Sequence, residues 1–323
     1  MSLPVFGTAA ALFEAGLEGQ TTPSLIPVRS LNHFGIAVSD PKRSIDFYQG
    51  LFGSPIQARI GTTTILRVGE GPQFLSISPV EGNLSPRHTH YGLGIEKFNV
   101  ERVTQALAAH GIAHADTVGA LKMNVRNGRT GVVFGDPDGI VCQLQDVTYC
   151  GGSGPLGNQC AAEPTRNKGL IELVDVNHLT IFSSDAARSN EFYKNVFGFR
   201  IRSFQGPTSP TLAVGPTVQF LMVAGGNAGA RRIAGINHAC WTVRNFNVDN
   251  ILKALDNYGL RARGDAFGPV GPLQHYVTMR MENRGGAPEG TPELYFTDPD
   301  GLLMQLQDTS YCGGSGVLGS QCL

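Results

Sequence analysis

An internal repeat constrains this chain more than any other feature of its sequence. The segment 298–322 repeats 136–160, with 18 of 25 residues identical. The two halves also begin alike, because LNHFGIAVSD around His33 matches VNHLTIFSSD around His178, 145 residues later. Repetition on this scale indicates two homologous domains joined in tandem.

The repeat sets the predicted domain boundaries. We expect an N-terminal segment at 1–28, a first domain at 29–160, a linker at 161–171 and a second domain at 172–323. Two domains also agree with the length of 323 residues, since a typical domain has about 150.

The second half carries an insertion. His90 matches His238 at an offset of 148 residues. Further on, Asp136 matches Asp298 at an offset of 162, so 14 residues have been added between these points. We expect the insertion around the polar, glycine-rich stretch MENRGGAPEGTP at 281–292.

Composition excludes several classes of protein. Apolar residues make up 41% of the chain, which is enough for sizeable cores and excludes a disordered protein. Lys and Arg number 25 against 26 for Asp and Glu, with no long run of either sign, which argues against nucleic acid as a partner. No stretch approaches 18 uninterrupted apolar residues, so no membrane span is expected. The 42 glycines indicate turn-dense sheet structure rather than helical bundles.

Four of the six cysteines form two copies of one glycine-rich motif. It reads CGGSGPLGNQC at 150–160 and CGGSGVLGSQC at 312–322. A short loop closed by cysteines at a fixed interval predicts a local disulfide in each half, with free surface thiols as the alternative. Cys142 and Cys240 lie in apolar, strand-like runs and are predicted to be small buried side chains.

Disulfides indicate an oxidising compartment, so an extracytoplasmic location, periplasmic or secreted, is expected. The stretch LPVFGTAAA at 3–11 resembles the apolar core and small-residue end of an export signal. The basic front of such a signal is missing, since the first basic residue is Arg29. We therefore predict a trimmed export signal at 1–28, with a cytoplasmic location as the alternative.

Each half is predicted to contain two smaller units with the order strand, helix and three strands. In the first unit the His33 strand leads into Asp40-Pro41, an N-cap residue followed by Pro at the first helical position. Gly53 can end that helix. The order restarts at His90, with a strand, the helix NVERVTQALAAHGI and strands ending in GVVFGDPDGIVCQLQDV. DPDG is predicted to be the turn of a hairpin.

This layout, with a histidine on the opening strand and DPDG before the last strand, resembles the vicinal oxygen chelate superfamily. That superfamily includes glyoxalase I, extradiol ring-cleaving dioxygenases, fosfomycin-resistance transferases and bleomycin-binding proteins. The resemblance covers nearly the whole chain outside 1–28 and the linker, and four units in one chain most resemble the extradiol dioxygenases. It implies an α+β fold of two tandem domains, each a pair of βαβββ modules forming an incomplete barrel with the helices outside.

The resemblance also implies candidate metal ligands. In the superfamily, a metal-binding domain takes one ligand from the opening strand of each module and the third from the last strand. The candidates are His33, His90 and Gln143 in the first half, and His178, His238 and Gln305 in the second. The family's third ligand is normally a glutamate four residues after the glycine of DPDG, so glutamine in both halves departs from the pattern.

The change from carboxylate to carboxamide alters the predicted chemistry. Two imidazoles and one oxygen donor leave open positions on a metal for a bidentate substrate or dioxygen. A neutral carboxamide leaves the site one unit more positive, so we expect weaker metal affinity and stronger attraction for an anionic substrate. The predicted cofactor is a divalent metal, with Fe(II) preferred and Mn, Zn or Ni as alternatives. Alternatively, the glutamines are buried amides bonded to the histidines and the metal has been lost.

The second half is predicted to be the reactive one. Extradiol enzymes place a tyrosine ten residues before the closing ligand, a position held here by Tyr295 and, in the first half, by Val133. His275 is a candidate acid–base group, or else an ordinary loop residue. One feature argues against ring cleavage. In extradiol enzymes a proton-transferring histidine comes shortly before the second ligand, but residues 212–235, which precede His238, contain no histidine.

We therefore expect a divalent-metal-dependent enzyme that acts on a small molecule with adjacent oxygens, most like an extradiol dioxygenase. A non-redox isomerase or lyase like glyoxalase is one alternative, and a metal-free binding protein is another. The expected partner is the small-molecule substrate, and the oligomeric state is open.

Overall fold

The structure is a computed structural model that describes residues 26–126, 128, 130–165, 167–225, 233–264 and 270–323. Residues 1–25 of the predicted export segment lie outside the described residues, whereas Ile26 is buried in the core and Val28 begins the first strand. Within these ranges, no helix has the length and apolar character needed to cross a membrane.

Each half forms one nine-stranded sheet. In the first half the strands are β1 (Val28–Val38), β2 (Ile56–Ile60), β3 (Thr63–Arg67), β4 (Phe74–Pro79), β5 (Arg87–Ile95), β6 (Ala113–His114), β7 (Lys122–Val125), β8 (Gly131–Gly135) and β9 (Val141–Asp146). In the second half they are β10 (Leu173–Phe182), β11 (Ile201–Phe204), β12 (Pro210–Ala213), β13 (Phe220–Ala224), β14 (Gly235–Val243), β15 (Arg261–Ala262), β16 (Gln274–Arg280), β17 (Thr291–Thr297) and β18 (Leu303–Asp308).

The two sheets have the same topology. Their strand orders are β2-β3-β4-β1-β5-β9-β8-β7-β6 and β11-β12-β13-β10-β14-β18-β17-β16-β15. The opening strands of the two modules pair antiparallel at the centre of each sheet, and each also pairs parallel with the last strand of its own module. The predicted α+β fold of paired modules is confirmed. The two-residue strands β6 and β15 are additions to the predicted pattern.

Four helices accompany the sheets: α1 (Pro41–Phe52), α2 (Val100–Ala109), α3 (Ala186–Phe197) and α4 (Val248–Tyr258). The predicted caps are confirmed in α1, where the Asp40 carboxylate accepts from the Arg43 backbone amide and Gly53 adopts the left-handed conformation. Asn99 caps α2 in the same way.

The first helix of each half packs on the sheet of the other half. Phe52 of α1 lies against Trp241 of the second sheet, with ring centroids 5.4 Å apart. Phe197 of α3 lies 6.0 Å from Phe134 of the first sheet. One continuous apolar core therefore joins the two halves.

The DPDG turns also join the halves. The Asp298 carboxylate accepts from the Leu302 amide within its own turn and from the Tyr48 hydroxyl of the other half, at 3.2 Å. At the equivalent position of the first half, the Asp136 carboxylate accepts from the Tyr193 hydroxyl of the second half at 2.9 Å. The turn that was predicted only to reverse the chain thus supplies buried carboxylates that bridge the two halves.

Asp298→Asn should flatten the pH dependence of stability. Burial raises the pKa of Asp298 to about 6, above the value of about 3.9 expected in the unfolded chain. Between these two pKa values the folded state keeps a proton on Asp298 that the unfolded chain has lost. The contribution of protonated Asp298 to the free energy of unfolding is therefore fully present below about pH 4 and is lost as pH rises through about 6. Between pH 4 and 7 the wild type should lose roughly 2 kcal/mol relative to the variant. Urea unfolding followed by fluorescence measures this.

The control is the same change at exposed Asp46, which forms a surface ion pair with Lys42. Equal slopes in the wild type and Asp298→Asn would contradict the assignment.

Candidate active site

The strand register of the second half brings the predicted site residues to one face. His178 and Gln305 both pair with Cys240 of the central strand β14, from its two sides. His238 lies two residues before Cys240, and Tyr295 pairs directly with Gln305. Paired residues and alternate residues of a strand point to the same face, so the four side chains share one surface of the sheet.

Three donor atoms converge on this face. The Oε1 atom of Gln305 lies 3.1 Å from His178 Nε2 and 2.9 Å from His238 Nε2. The two imidazole rings stand nearly perpendicular, with centroids 5.6 Å apart. All three side chains are buried.

The protonation of His178 follows from its neighbours. Its Nδ1 atom lies 2.7 Å from Asn177 Oδ1, and the Asn177 amide is oriented because its Nδ2 donates to the Tyr311 carbonyl at 2.8 Å. Nδ1 is therefore the protonated nitrogen, and Nε2 carries a lone pair. His238 Nδ1 lies 2.7 Å from Asn237 Oδ1 and has the same tautomer on this basis.

Both imidazoles are held neutral. Burial, together with the neighbouring His238, places the pKa of His178 well below its usual value. Burial also lowers the pKa of His238 to about 3. His178 Nε2, His238 Nε2 and Gln305 Oε1 are then three hydrogen-bond acceptors that face one another at hydrogen-bond distance, with no donor among them.

This donor set fits a divalent cation. Ligands about 2.1 Å from an ion and at right angles lie about 3.0 Å apart, which matches both separations from Gln305. The asparagines orient the imidazoles in the way that outer partners of metal-bound histidines do. No group of three His, Cys, Asp or Glu side chains able to hold a metal occurs in the described part of the chain. A metal here therefore needs the amide oxygen.

The metal-free alternative is a rotated Gln305 amide that donates to both imidazoles. As placed, Gln305 Nε2 is buried without a partner. Rotation would satisfy both imidazoles and leave Oε1 unpartnered, whereas a cation would satisfy both imidazoles and Oε1 and leave Nε2 unpartnered, so each arrangement leaves one buried polar atom of Gln305 unsatisfied.

The three donors open into a cavity of about 430 Å³. Its wall is polar and includes Tyr295, Tyr311, Arg284 and Glu293. The Tyr295 ring lies 5.4 Å from the His238 ring, edge to face. Burial and the nearby Glu293 raise the pKa of Tyr295 well above its usual value, so its hydroxyl stays protonated.

Glu293 is a buried carboxylate held by a network. Its Oε1 accepts from Arg280 Nε at 2.9 Å, and its Oε2 lies 3.4 Å from the Tyr295 hydroxyl. Arg280 is fully buried and also donates to the Gly314 carbonyl of the disulfide loop and to the Gly285 carbonyl of the insertion. The insertion and the disulfide loop thus meet at this ion pair, next to the cavity.

Both predicted disulfides are present. Cys150 is bonded to Cys160 and Cys312 to Cys322. The remaining cysteines, Cys142 and Cys240, are free and buried, as predicted.

The first half brings its equivalent residues together differently. His33 and His90 lie on one face, with ring centroids 5.3 Å apart. The Gln143 Oε1 atom accepts from Arg126 Nη1 at 2.7 Å, whereas Gln305 Oε1 faces the imidazoles. Arg126 also donates to the Tyr149 hydroxyl at 3.1 Å. A fixed positive charge on the third donor opposes a second cation, so these residues do not fit a metal.

Comparison with known proteins decides the family. The model of the glyoxalase/bleomycin resistance protein/dioxygenase superfamily matches residues 30–144 and 175–306. The chain belongs to this superfamily. It is 30% identical over 120 residues to the glutathione transferase FosA of Serratia marcescens, a match that covers 36% of this chain and 80% of that protein.

Solved structures share the fold over most of the chain. The Mn(II)-bound glyoxalase from Novosphingobium aromaticivorans aligns with a TM-score of 0.58 and 14% identity, covering 87% of this chain and 82% of that one. The 2,2′,3-trihydroxybiphenyl 1,2-dioxygenase from Sphingomonas wittichii RW1 aligns with a TM-score of 0.58 and 13% identity, covering 90% and 91%.

The structure does not bring His275 to the site formed by His178, His238 and Gln305. On β16 it pairs with Phe296, one residue from the Tyr276–Tyr295 pair, so it points to the opposite face. There its Nε2 lies 2.7 Å from Asp256 Oδ1 on α4. His275 therefore joins a helix to the sheet.

Several residues around the sites of the two halves were not predicted from the sequence. The asparagines that precede His33, His178 and His238 were visible as repeated Asn-His pairs. The aromatic rings that stack on the opening histidines, Phe74 and Phe220, follow a repeated glutamine. Arg126 and Glu293 had no such signal, because each occurs in one half only.

Proposed function

We propose that the chain is a divalent-metal-dependent enzyme that acts on a small molecule with adjacent oxygens at the second-half site. The convergence of His178 Nε2, His238 Nε2 and Gln305 Oε1 at 2.9–3.1 Å carries this proposal. A divalent ion held there would bind both substrate oxygens and lower their pKa values. Fe(II) is the preferred ion and Mn, Zn or Ni are alternatives.

Residues of the cavity wall are suited to bind the substrate and to transfer a proton. Tyr295 can donate a hydrogen bond to a substrate oxygen, since its hydroxyl is protonated and its ring lies beside His238 in the cavity wall. In the free protein the single proton of this hydroxyl is donated to Glu293 Oε2; when the hydroxyl donates to the substrate instead, Glu293 is left to accept a proton from the substrate. The insertion and the disulfide loop support this part of the site, because the Thr291 hydroxyl donates to the Gly316 carbonyl at 2.7 Å.

Ring cleavage of catechols is the first reaction to test, because four modules in one chain resemble the extradiol dioxygenases. A second candidate is proton transfer next to a carbonyl, as in glyoxalase-like isomerases. Glu293 favours this second reaction, because it supplies a carboxylate base beside Tyr295 where the cavity has no third histidine among its described residues. Oxygen uptake by the Fe(II)-loaded enzyme with catechols separates the two, since an isomerase consumes none.

Tyr295→Phe should lower turnover on whichever substrate is found by about 10- to 100-fold, because it removes the only proton that this side chain can donate to the substrate. Steady-state kinetics on the metal-loaded protein measures this. Val133→Ala at the equivalent place in the first half is the control and should change turnover less than about twofold. Equal effects of the two changes would contradict the assignment of the reactive half.

We also propose an extracytoplasmic location, which the two disulfides support. Mass spectrometry of the native protein with and without reduction tests it. Freely alkylated thiols at Cys150, Cys160, Cys312 and Cys322 would contradict it.

A further inference from the structure

The first half contains a second cavity, of about 370 Å³, within the size range of small-molecule sites. Its wall is mainly apolar and aromatic, with Ile65, Phe74, Val133 and Tyr149 among the lining side chains. Serine and threonine hydroxyls line another part of it. The wall therefore suits a compact apolar or aromatic body with a polar end.

Arg126 sets the charge of this cavity. It is the one Lys, Arg, Asp or Glu side chain among the lining residues that the structure describes. Among the described residues, none that lines the cavity is acidic and able to neutralise Arg126. The cavity thus carries about one unit of positive charge in a low-dielectric setting, where an anion is attracted more strongly than in water.

The second half has no arginine at the position equivalent to Arg126. Val125 pairs with Val132 and Val277 pairs with Leu294, so Arg126 and Thr278 occupy equivalent places. The second half has a threonine where the first half has the guanidinium.

We propose that the first cavity is a metal-independent binding site for a small organic monoanion, with Arg126 binding its carboxylate and the aromatic wall holding its body. Gln143 and Tyr149 orient the guanidinium through their contacts with Nη1. An arginine is suited to this role because its planar group can donate two hydrogen bonds to one carboxylate. This site goes beyond the proposed function, which uses the other half.

Benzoate is the probe, and benzamide is its neutral counterpart. Calorimetric titration of the full chain, stripped of metal by a chelator, should show one benzoate site per chain. Benzamide should bind roughly 10- to 100-fold more weakly, because the charge-assisted hydrogen bonds are lost. Absence of saturable benzoate binding would overturn the proposal.

Arg126→Thr, which installs the residue of the second half, should weaken benzoate binding by the same factor. The control is Arg87→Thr, at an exposed arginine outside the cavity, and it should leave binding unchanged. Gln143→Glu keeps Arg126 but neutralises it with a carboxylate, and should also abolish binding. Undiminished binding in either cavity variant would overturn the proposal, whereas failure of the metal proposal would leave these results unaffected.

Discussion

Gln305→Glu should tighten the binding of Mn²⁺ at the second-half site by at least about tenfold. The carboxylate replaces a neutral oxygen donor at the point where His178 and His238 already converge. Attraction between the anionic ligand and the cation adds to affinity in a buried site, where water screens little. Competition with a fluorescent chelator measures the dissociation constant.

Gln143→Glu is the matched control and should add no second metal. In the first half, Arg126 already contacts the position of the new carboxylate and would form an ion pair with it. Two metal ions per chain in Gln143→Glu would contradict the assignment of the first half. Unchanged affinity in Gln305→Glu would show that this residue is not a ligand.

Arg280→Met should lower the free energy of unfolding by about 3–5 kcal/mol. Arg280 is fully buried and pairs with Glu293, whose side chain is only 4% exposed. Removing the guanidinium leaves a buried carboxylate without its cation and leaves the Gly314 and Gly285 carbonyls without their donor. Chemical denaturation measures the change.

Arg59→Met is the matched control, because Arg59 pairs with Glu163 while both side chains are about half exposed. Its loss should cost less than about 1 kcal/mol. The double variant Arg280→Met/Glu293→Met should recover part of the stability lost in Arg280→Met, since no buried charge remains unpaired. Similar losses at Arg280 and Arg59 would contradict the buried network.

The fold was predictable because local signals agreed with the repeat. Asp40 and Gly53 mark the two ends of α1, and the cysteine motifs predicted both disulfides. The histidines were found because each occurs at matched places in the two halves. Repetition therefore revealed the features that the halves share.

The differences between the halves were not predictable from the repeat. Glu293 lies on β17, beside the β18 strand that carries Gln305, whereas Arg126 follows β7, which is separated by β8 from the strand that carries Gln143. Only strand register shows that each reaches a cavity. The sequence left His275 as a candidate acid–base group or an ordinary loop residue, but neighbouring residues of a strand point to opposite faces, and its register places it against α4. The contacts between halves made by Tyr48 and Tyr193 depend on packing that no local pattern encodes.

Metal content per chain tests the central claim most directly. The measurement is plasma mass spectrometry on protein purified anaerobically, without chelators or affinity metals, for the wild type and His238→Ala, with His90→Ala as the matched control. The account predicts one equivalent of a divalent metal in the wild type and in His90→Ala, and none in His238→Ala. No metal in the wild type, even after titration with Fe(II) or Mn²⁺, or equal metal in all three proteins, would contradict it.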